Sequence, residues 1–381
     1  MDRRSMLKVS GLGLASIGLG SCTTSFSPAK VGYARRVRRL EPVDAGWERV
    51  IRTTVGLRPY RPSGFVLRPE RLGDKLLVHN YGHGGSGMSL SWGTGHIAAD
   101  MAAERVERRA AVVGCGVVGL TTARQLQRRG FEVTIYAESV PPNTTSNMSL
   151  ASWTPTSGLV DSDLRTVMWD AQFRRAARIS WHQLQLLVGR GYGVSWIDGY
   201  SLRNSPPENE SDRENRLLPE DLEVGSTIYG PGRHPFPTRY AVVRPSMRIE
   251  PSMYLDHLVT DVREANARIV IRRFESRRDL AALSESVIVN CTGLGAKALL
   301  GDEGLRPLKG QLTLLMPQES IDYSTFGAAS PVAGGFVHMS PRSDGIALGG
   351  TSVEGDWSLD PDPDAMRRIV EAHIDLFSRM D

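Results

Sequence analysis

The sequence predicts an α/β protein built around a Rossmann-like dinucleotide fold. Three stretches predict it. In residues 110–126 (AAVVGCGVVGLTTARQL) a short apolar strand runs through Gly114, Gly116 and Gly119 into a helix. A second strand follows and ends at Glu138, so the glycines sit in a complete βαβ context. Residues 287–295 (VIVNCTGLG) repeat the strand–glycine–helix pattern. Residues 77–92 (LVHNYGHGGSGMSLSW) combine two histidines with four glycines and an alternating apolar tail, a backbone surface suited to a flat ligand.

Taken in order, the strand signals begin at the β-branched run 50–54, which leads into Val55 and GLRPYRP. The prolines after Arg58 and Arg61 hold both arginines extended. Leu76, Leu77 and Val78 read as a strand entering the glycine-rich stretch, with 88–92 as its continuation. Residues 95–109 have helical spacing, with Ile97, Ala98, Met101, Ala102 and Val106 on one face. The strand 111–113 follows, then the helix 120–129, capped at Gly130, and the strand 132–136.

Further helices are expected over 164–190, with Trp181, Leu184 and Leu187 inward, and within 245–263, with Met253, Leu255 and Leu258 as core. Strands are expected at 267–273, at 287–290 and through 305–351, then a closing helix over 364–379. Residues 204–223 read as a polar surface excursion.

A chain of 381 residues has room for two domains, and its 40% apolar and 23% charged content is that of a globular protein. Forty-six basic against 42 acidic residues leave +4, and the basic runs read as solvated helix ends or linkers, so no nucleic-acid partner is expected. No metal cluster emerges from the eight histidines.

The first residues, DRRSMLK followed by an apolar stretch to Gly20, follow the twin-arginine export pattern. This stretch is too short for a membrane span. LGSC at 19–22 resembles a lipoprotein cleavage box, with Cys22 as the lipid anchor. A periplasmic protein, free or anchored on the outer side of the cytoplasmic membrane, is expected. Cys115 and Cys291 are expected as buried free thiols.

GCGVVGL (114–120), IYAE (135–138), TTSNMSLASWTP (144–155), VIVNCTG (287–293), KGQ (309–311), LGGTSVEGDWSL (348–359), GLRPYRP (56–62) and HNYGHGGSGMSLSWG (79–93) together resemble the D-amino-acid oxidases. These are the FAD-dependent group that includes the D-aspartate oxidases. The resemblance implies a Rossmann-like FAD-binding domain with a mixed-sheet α+β substrate domain, in a circularly permuted order. In the family the dinucleotide fingerprint opens the chain, and GLRPxRP and HNYGHGG lie near its end. Here those two come first, and the helix 95–109 is fused to the first strand of the fingerprint. The new ends lie between the helix closing at Asp381 and Arg39-Leu40-Glu41-Pro42.

The corresponding division is a signal at 1–22, a linker at 23–40 and an FAD-binding domain at 41–160, made of 41–109 fused to 110–160. It continues with a substrate domain at 161–250, the FAD-binding domain again at 251–304, and the substrate domain with the closing helix at 305–381.

The implied activity is oxidative deamination of a D-amino acid to a 2-oxo acid, ammonia and H2O2, with O2 as oxidant. The flavin carries the redox step, and the protein supplies position and electrostatics. The resemblance puts Arg58 on the substrate carboxylate, where two parallel N–H donors match its oxygens, and gives Arg61 a structural role. The backbone of Gly85 approaches the amine. His83, Gly84, Gly85, Ser86, Gly87, Met88 and Ser89 line the flavin ring. Gly114, Gly116, Val117, Val118 and Gly119 take the diphosphate at a helix N-terminus, and Glu138 takes the ribose. Thr144, Thr145, Ser146, Leu150, Ala151, Ser152, Phe274 and Thr292 complete the FAD contacts.

The family carries tyrosines over the substrate, and here His338 and a glycine stand in their places. A smaller or more polar pocket follows, with Tyr60 or Tyr240 as compensating groups. Three other readings stay open. One is an oxidase of glycine, sarcosine or D-aspartate, for which Arg342 is the nearest second cation. The others are a nicotinamide-dependent dehydrogenase, disfavoured because HNYGHGG has no role in it, and an inactive FAD-fold lipoprotein. The oligomeric state is open too.

Overall fold

The structure, a computed structural model, describes residues 38–150, 152–207, 216–327 and 336–381. The export signal with Cys22, most of the linker, Ala151, and part of the 204–223 excursion lie outside the described residues.

The chain order is β1 (Val50–Tyr60), β2 (Val66–Leu72), β3 (Lys75–Tyr81), α1 (Gly87–Ala103), β4 (Arg109–Val113), α2 (Val117–Gln127) and β5 (Glu132–Ala137). Then come α3 (Val167–Leu187), β6 (Val194–Arg203), β7 (Thr227–Tyr229), β8 (Tyr240–Ile249), α4 (Pro251–Glu264), β9 (Arg268–Ile271), α5 (Arg277–Ala281) and β10 (Val287–Asn290). The chain ends with α6 (Ala296–Leu300), β11 (Arg306–Leu315), β12 (Tyr323–Phe326), β13 (His338–Arg342), β14 (Gly345–Gly349), β15 (Val353–Glu354) and α7 (Pro363–Ser378).

Two sheets organise these elements. One has six strands in the order β2-β3-β10-β4-β5-β9, parallel except where β2 pairs with β3. β10 is buried at every position, as a parallel strand covered on both faces must be. The other has nine strands in the order β1-β11-β14-β13-β12-β6-β8-β7, with β15 added against β11. Its pairings are antiparallel apart from β12 with β6.

One hydrophobic core lies under the parallel sheet and takes in α1, α2, α3 and α4. A second joins the mixed sheet to α7 through Leu315, Tyr323, Ile346 and Leu348 against Ile369, Leu376 and Phe377.

Several expectations change. Residues 88–92 are the first turns of α1, not a strand. MSLSW alternates in sequence, but α1 is buried on almost every side, so it shows no polar stripe to mark a helical period. That helix ends at Ala103 rather than 109, and Val106 is 92% exposed. Residues 245–249 belong to β8, and Pro251 starts α4, where Pro is suited to the first turn. Met253 is exposed, whereas Leu255 and Leu258 are core.

The segment 50–60, grouped above with the FAD-binding part, is an edge strand of the mixed sheet. α3, grouped with the substrate part, packs in the core of the parallel sheet. Cys115 and Cys291 are buried free thiols.

Candidate active site

A cavity of about 850 Å³ lies at the carboxyl ends of β3, β10, β4 and β5 and faces the mixed sheet, the usual ligand position in an open α/β sheet. Of the expected contacts, Gly114, Gly116, Val117, Val118, Glu138, Thr144, Thr145, Ser146, Leu150, Ser152, Phe274 and Thr292 line it. So do Arg58, His83, Gly84, Gly85, Gly87, Met88 and His338. Residues far apart in sequence therefore converge on one volume.

At one end, Gly114 has φ +117°, and a Cβ there would overlap the Cys291 carbonyl. That is how the ends of β4 and β10 come close. The Val117 N–H at the start of α2 donates to Ser146 Oγ at 3.0 Å, and Thr144 Oγ1 donates to Asn147 Oδ1. The sequence does not point to Arg273, whose guanidinium pairs with Glu138 at 3.2 Å with both side chains exposed. Beside it Arg272 lies over the Phe274 ring at 4.6 Å. Glu138 is thus at the strand end expected of a ribose-binding acid.

Three expected contacts do something else. Gly119 does not line the cavity; a Cβ there would strike the Gly114 carbonyl, so its part is to let α2 pack on the end of β4. Ser86 and Ser89 also turn away from it. Ser86 Oγ donates to Ser157 O at 3.0 Å, and Ser89 Oγ donates to Ser152 O while accepting from Thr154 N. Together they pin 152–157 across the start of α1. Gly85 lines the cavity, but its N–H already donates to Gly158 O at 3.2 Å.

At the other end, Arg58 reaches over Gly310 from the edge strand β1. Its Nε donates to Leu308 O at 3.0 Å and its Nη2 to Thr351 O at 3.0 Å and Lys309 O at 3.4 Å. Burial pushes its pKa down. Arg61 pairs instead with Asp302 at 3.1 Å.

His83 stacks on Phe65 at 5.3 Å, and its Nε2 sits 3.1 Å from Thr94 Oγ1. Burial lowers its pKa to about 3, so it is a neutral wall residue. The His338 ring lies over Gly349, its Nδ1 buried without a partner and its pKa lowered by burial to about 3. Tyr60 donates to Asp161 and Tyr240 opens β8; neither lines the cavity, so neither replaces the absent tyrosines.

Leu308, Gly310, Leu312 and Phe326 also line this end. Alternation along RPLKGQLTLL marks the first three as one face; nothing in the sequence marks Phe326.

The family model for FAD dependent oxidoreductases (DAO) matches residues 24–101 and 109–381. The chain belongs to this family. It is a FAD-dependent oxidoreductase, and the cavity fits the cofactor. Glycine-lined backbone opens onto the start of α2, and the acid at the end of β5 stands at the edge.

Among curated members, the D-amino-acid oxidase of Rubrobacter xylanophilus is 31% identical over 271 residues, 70% of this chain and 76% of that one. The human D-aspartate oxidase is 27% identical over 269 residues, 69% and 74% of the two chains.

Two solved structures share the fold. The L-proline dehydrogenase from P. horikoshii has a TM-score of 0.51 at 17% identity, covering 71% of this chain and 77% of that one. A glycine oxidase from Bacillus cereus also scores 0.51, at 14% identity, covering 71% and 78%.

Proposed function

We propose that this DAO-family member oxidatively deaminates D-amino acids, converting D-amino acid, O2 and water to 2-oxo acid, ammonia and H2O2. The observation that carries the reading is Arg58. Its guanidinium lines the cavity with only backbone carbonyls as hydrogen-bond partners among the described residues. A cation so placed lacks an anion; its Nη1, which donates to none of these carbonyls, is left to meet a substrate carboxylate. The likeness to named D-amino-acid oxidases supports the D configuration.

A bound flavin would supply the two-electron acceptor for the substrate's Cα–N unit, with O2 as the terminal oxidant. Arg58 fixes the carboxylate, and the three carbonyls hold its guanidinium plane, so orientation is set before reaction. His338, neutral and facing the same volume, offers a ring nitrogen to the substrate where the family has a tyrosine. Gly84 and Gly85 let the backbone of 157–158 pack closely against them in the cavity wall.

The purified protein should be yellow and release H2O2 from D-alanine or D-methionine. Arg58→Ala should raise KM about 100-fold, a loss of about 3 kcal/mol in carboxylate binding, with flavin retained. Unchanged turnover in that variant would remove the assignment, and a protein that takes up no FAD would leave an inactive fold.

The chain order is proposed to be a circular permutation of the family's. The family match breaks between 101 and 109, at the fusion of α1 to β4. Leu40 and Val43 share a core with Leu376 and Phe377, and the Tyr323 hydroxyl donates to Glu41 O while lying 3.8 Å from Met380 Sδ. Export through 1–22 with lipidation at Cys22 is proposed on the sequence alone. If it holds, Cys22→Ala should move the protein from the membrane fraction to the soluble periplasm.

A further inference from the structure

The floor under Arg58 is one face of the mixed sheet. Arg58 stands opposite Leu308, Leu312 opposite Gly349, Gly349 opposite His338, and His338 opposite Phe326. Residues directly across a strand pair share a face, as do those two apart along a strand. This face therefore reads, from one end, as a cation, the small Gly310, Leu312, and then the rings of His338 and Phe326. Strands lie about 4.8 Å apart, so β11 and β12, three spacings distant, are about 14 Å apart.

Phe336, 54% exposed, stands at the mouth with its ring 5.7 Å from that of His338, and the Phe326 ring lies 6.4 Å from His338 across the strand pair. These separations are those of interacting aromatic groups.

Charge completes the picture. Among the described lining residues the lysines and arginines are Arg58, Arg272 and Arg273, and the last two are at the Glu138 end. Three basic side chains close by are engaged, Arg368 with the Gly350 carbonyl at 3.3 Å. Lys309 pairs with Asp356 at 2.9 Å, and Arg342 holds Asp344 through two bonds and donates to Ser149 O. A second substrate carboxylate would meet leucine and aromatic carbon, with no cation among the described lining residues at that end to offset its desolvation.

We infer that the substrate is a D-amino acid with a bulky, uncharged, aromatic side chain. Its carboxylate sits at Arg58, and its side chain lies over Leu312, His338 and Phe326 with Phe336 at the entrance. A methyl side chain leaves most of this floor uncovered; a phenyl or indole ring covers it. The inference rests on the oxidase reading above.

The test is H2O2 release by the FAD-loaded protein with D-phenylalanine, D-tryptophan, D-alanine and D-aspartate. The expected kcat/KM for D-phenylalanine exceeds that for D-alanine at least tenfold and that for D-aspartate at least 100-fold. In Phe336→Ala, whose side chain is half in solvent, the phenylalanine-to-alanine ratio should fall at least fivefold, through KM. Phe326→Leu should lower the same ratio and keeps the site apolar.

Turnover of D-alanine or D-aspartate at or above that of D-phenylalanine overturns the inference and leaves the oxidase reading standing. So does a ratio unmoved in both variants. A flavin-loaded protein that oxidises none of the four overturns both.

Discussion

Burial holds His83 and His373 uncharged, with pKa values lowered to about 3 and about 4 and exposures of 2% and 0%. The consequence for stability has a definite sign. A histidine depressed in the folded state binds its proton more readily when unfolded, so the unfolded chain takes up protons first as pH falls. The stability from these two groups is complete above their unfolded pKa near 6.5 and drains as pH drops toward 3–4. Each contributes a slope approaching about 1.4 kcal/mol per pH unit within that window.

Urea midpoints should therefore be flat from about pH 8 to 7 and fall between about pH 6.5 and 5, less steeply in His373→Gln. A midpoint constant across that range would mean that both imidazoles titrate normally in the fold. Desolvation lowers the His338 pKa as well, but this half-buried ring faces the cavity, so its proton affinity also responds to a bound anion. The expected role of Arg58 follows from a local motif. Its lack of a carboxylate partner emerges only with Asp302, Asp344 and Asp356 seen paired to other cations.

Among the elements, α1 is the one on which the parallel layer depends. It lies between α2 and α3, and Trp92 Nε1 donates to the Tyr254 hydroxyl of α4 at 2.7 Å. At Gly93 the backbone of α3 comes so close that a Cβ would overlap the Ala176 carbonyl, and the Gly93 N–H donates to Ser180 Oγ at 2.8 Å. Gly93→Leu would have to push two packed helices apart, a change at the severe end of the overpacking range. It should leave no soluble folded protein in an expression trial.

Ser180→Ala removes the acceptor alone and should cost only about 1 kcal/mol in a denaturation curve. If Gly93→Leu folds with a native melting temperature, the close crossing is wrong. The helices α2, α3 and α7 are legible in the sequence because each keeps a polar side and a clear end. Of α1 only the part from Gly95 onward is legible; its first turns, 88–92, are buried all round and lose the stripe that announces the period.

At the scale of the molecule, two sheets are held so that the carboxyl ends of one face the inner surface of the other, with the cavity between. The proposed permutation leaves that arrangement intact, because the joined and the opened connections both lie at the surface. The link 104–108 from α1 to β4 is exposed. A chain in which 41–103 is moved behind Asp381 through a short linker, so that β4 comes first, keeps the packed contacts. It should bind FAD and melt within a few degrees of the natural order. Loss of folding on reordering would show that the 104–108 connection is itself required.

By itself the sequence determined the βαβ unit, the glycine-rich cofactor wall, the choice of Arg58 as the candidate carboxylate partner, and the family. Those are carried by short contiguous motifs whose chemistry depends on neighbours a few residues away. Only the tertiary structure decided that β1 joins the mixed sheet, that Ser86 and Ser89 pin a loop, and that His338 and Phe326 share a floor with Arg58. Those relations arise from register across strands distant in the chain, which no local pattern encodes.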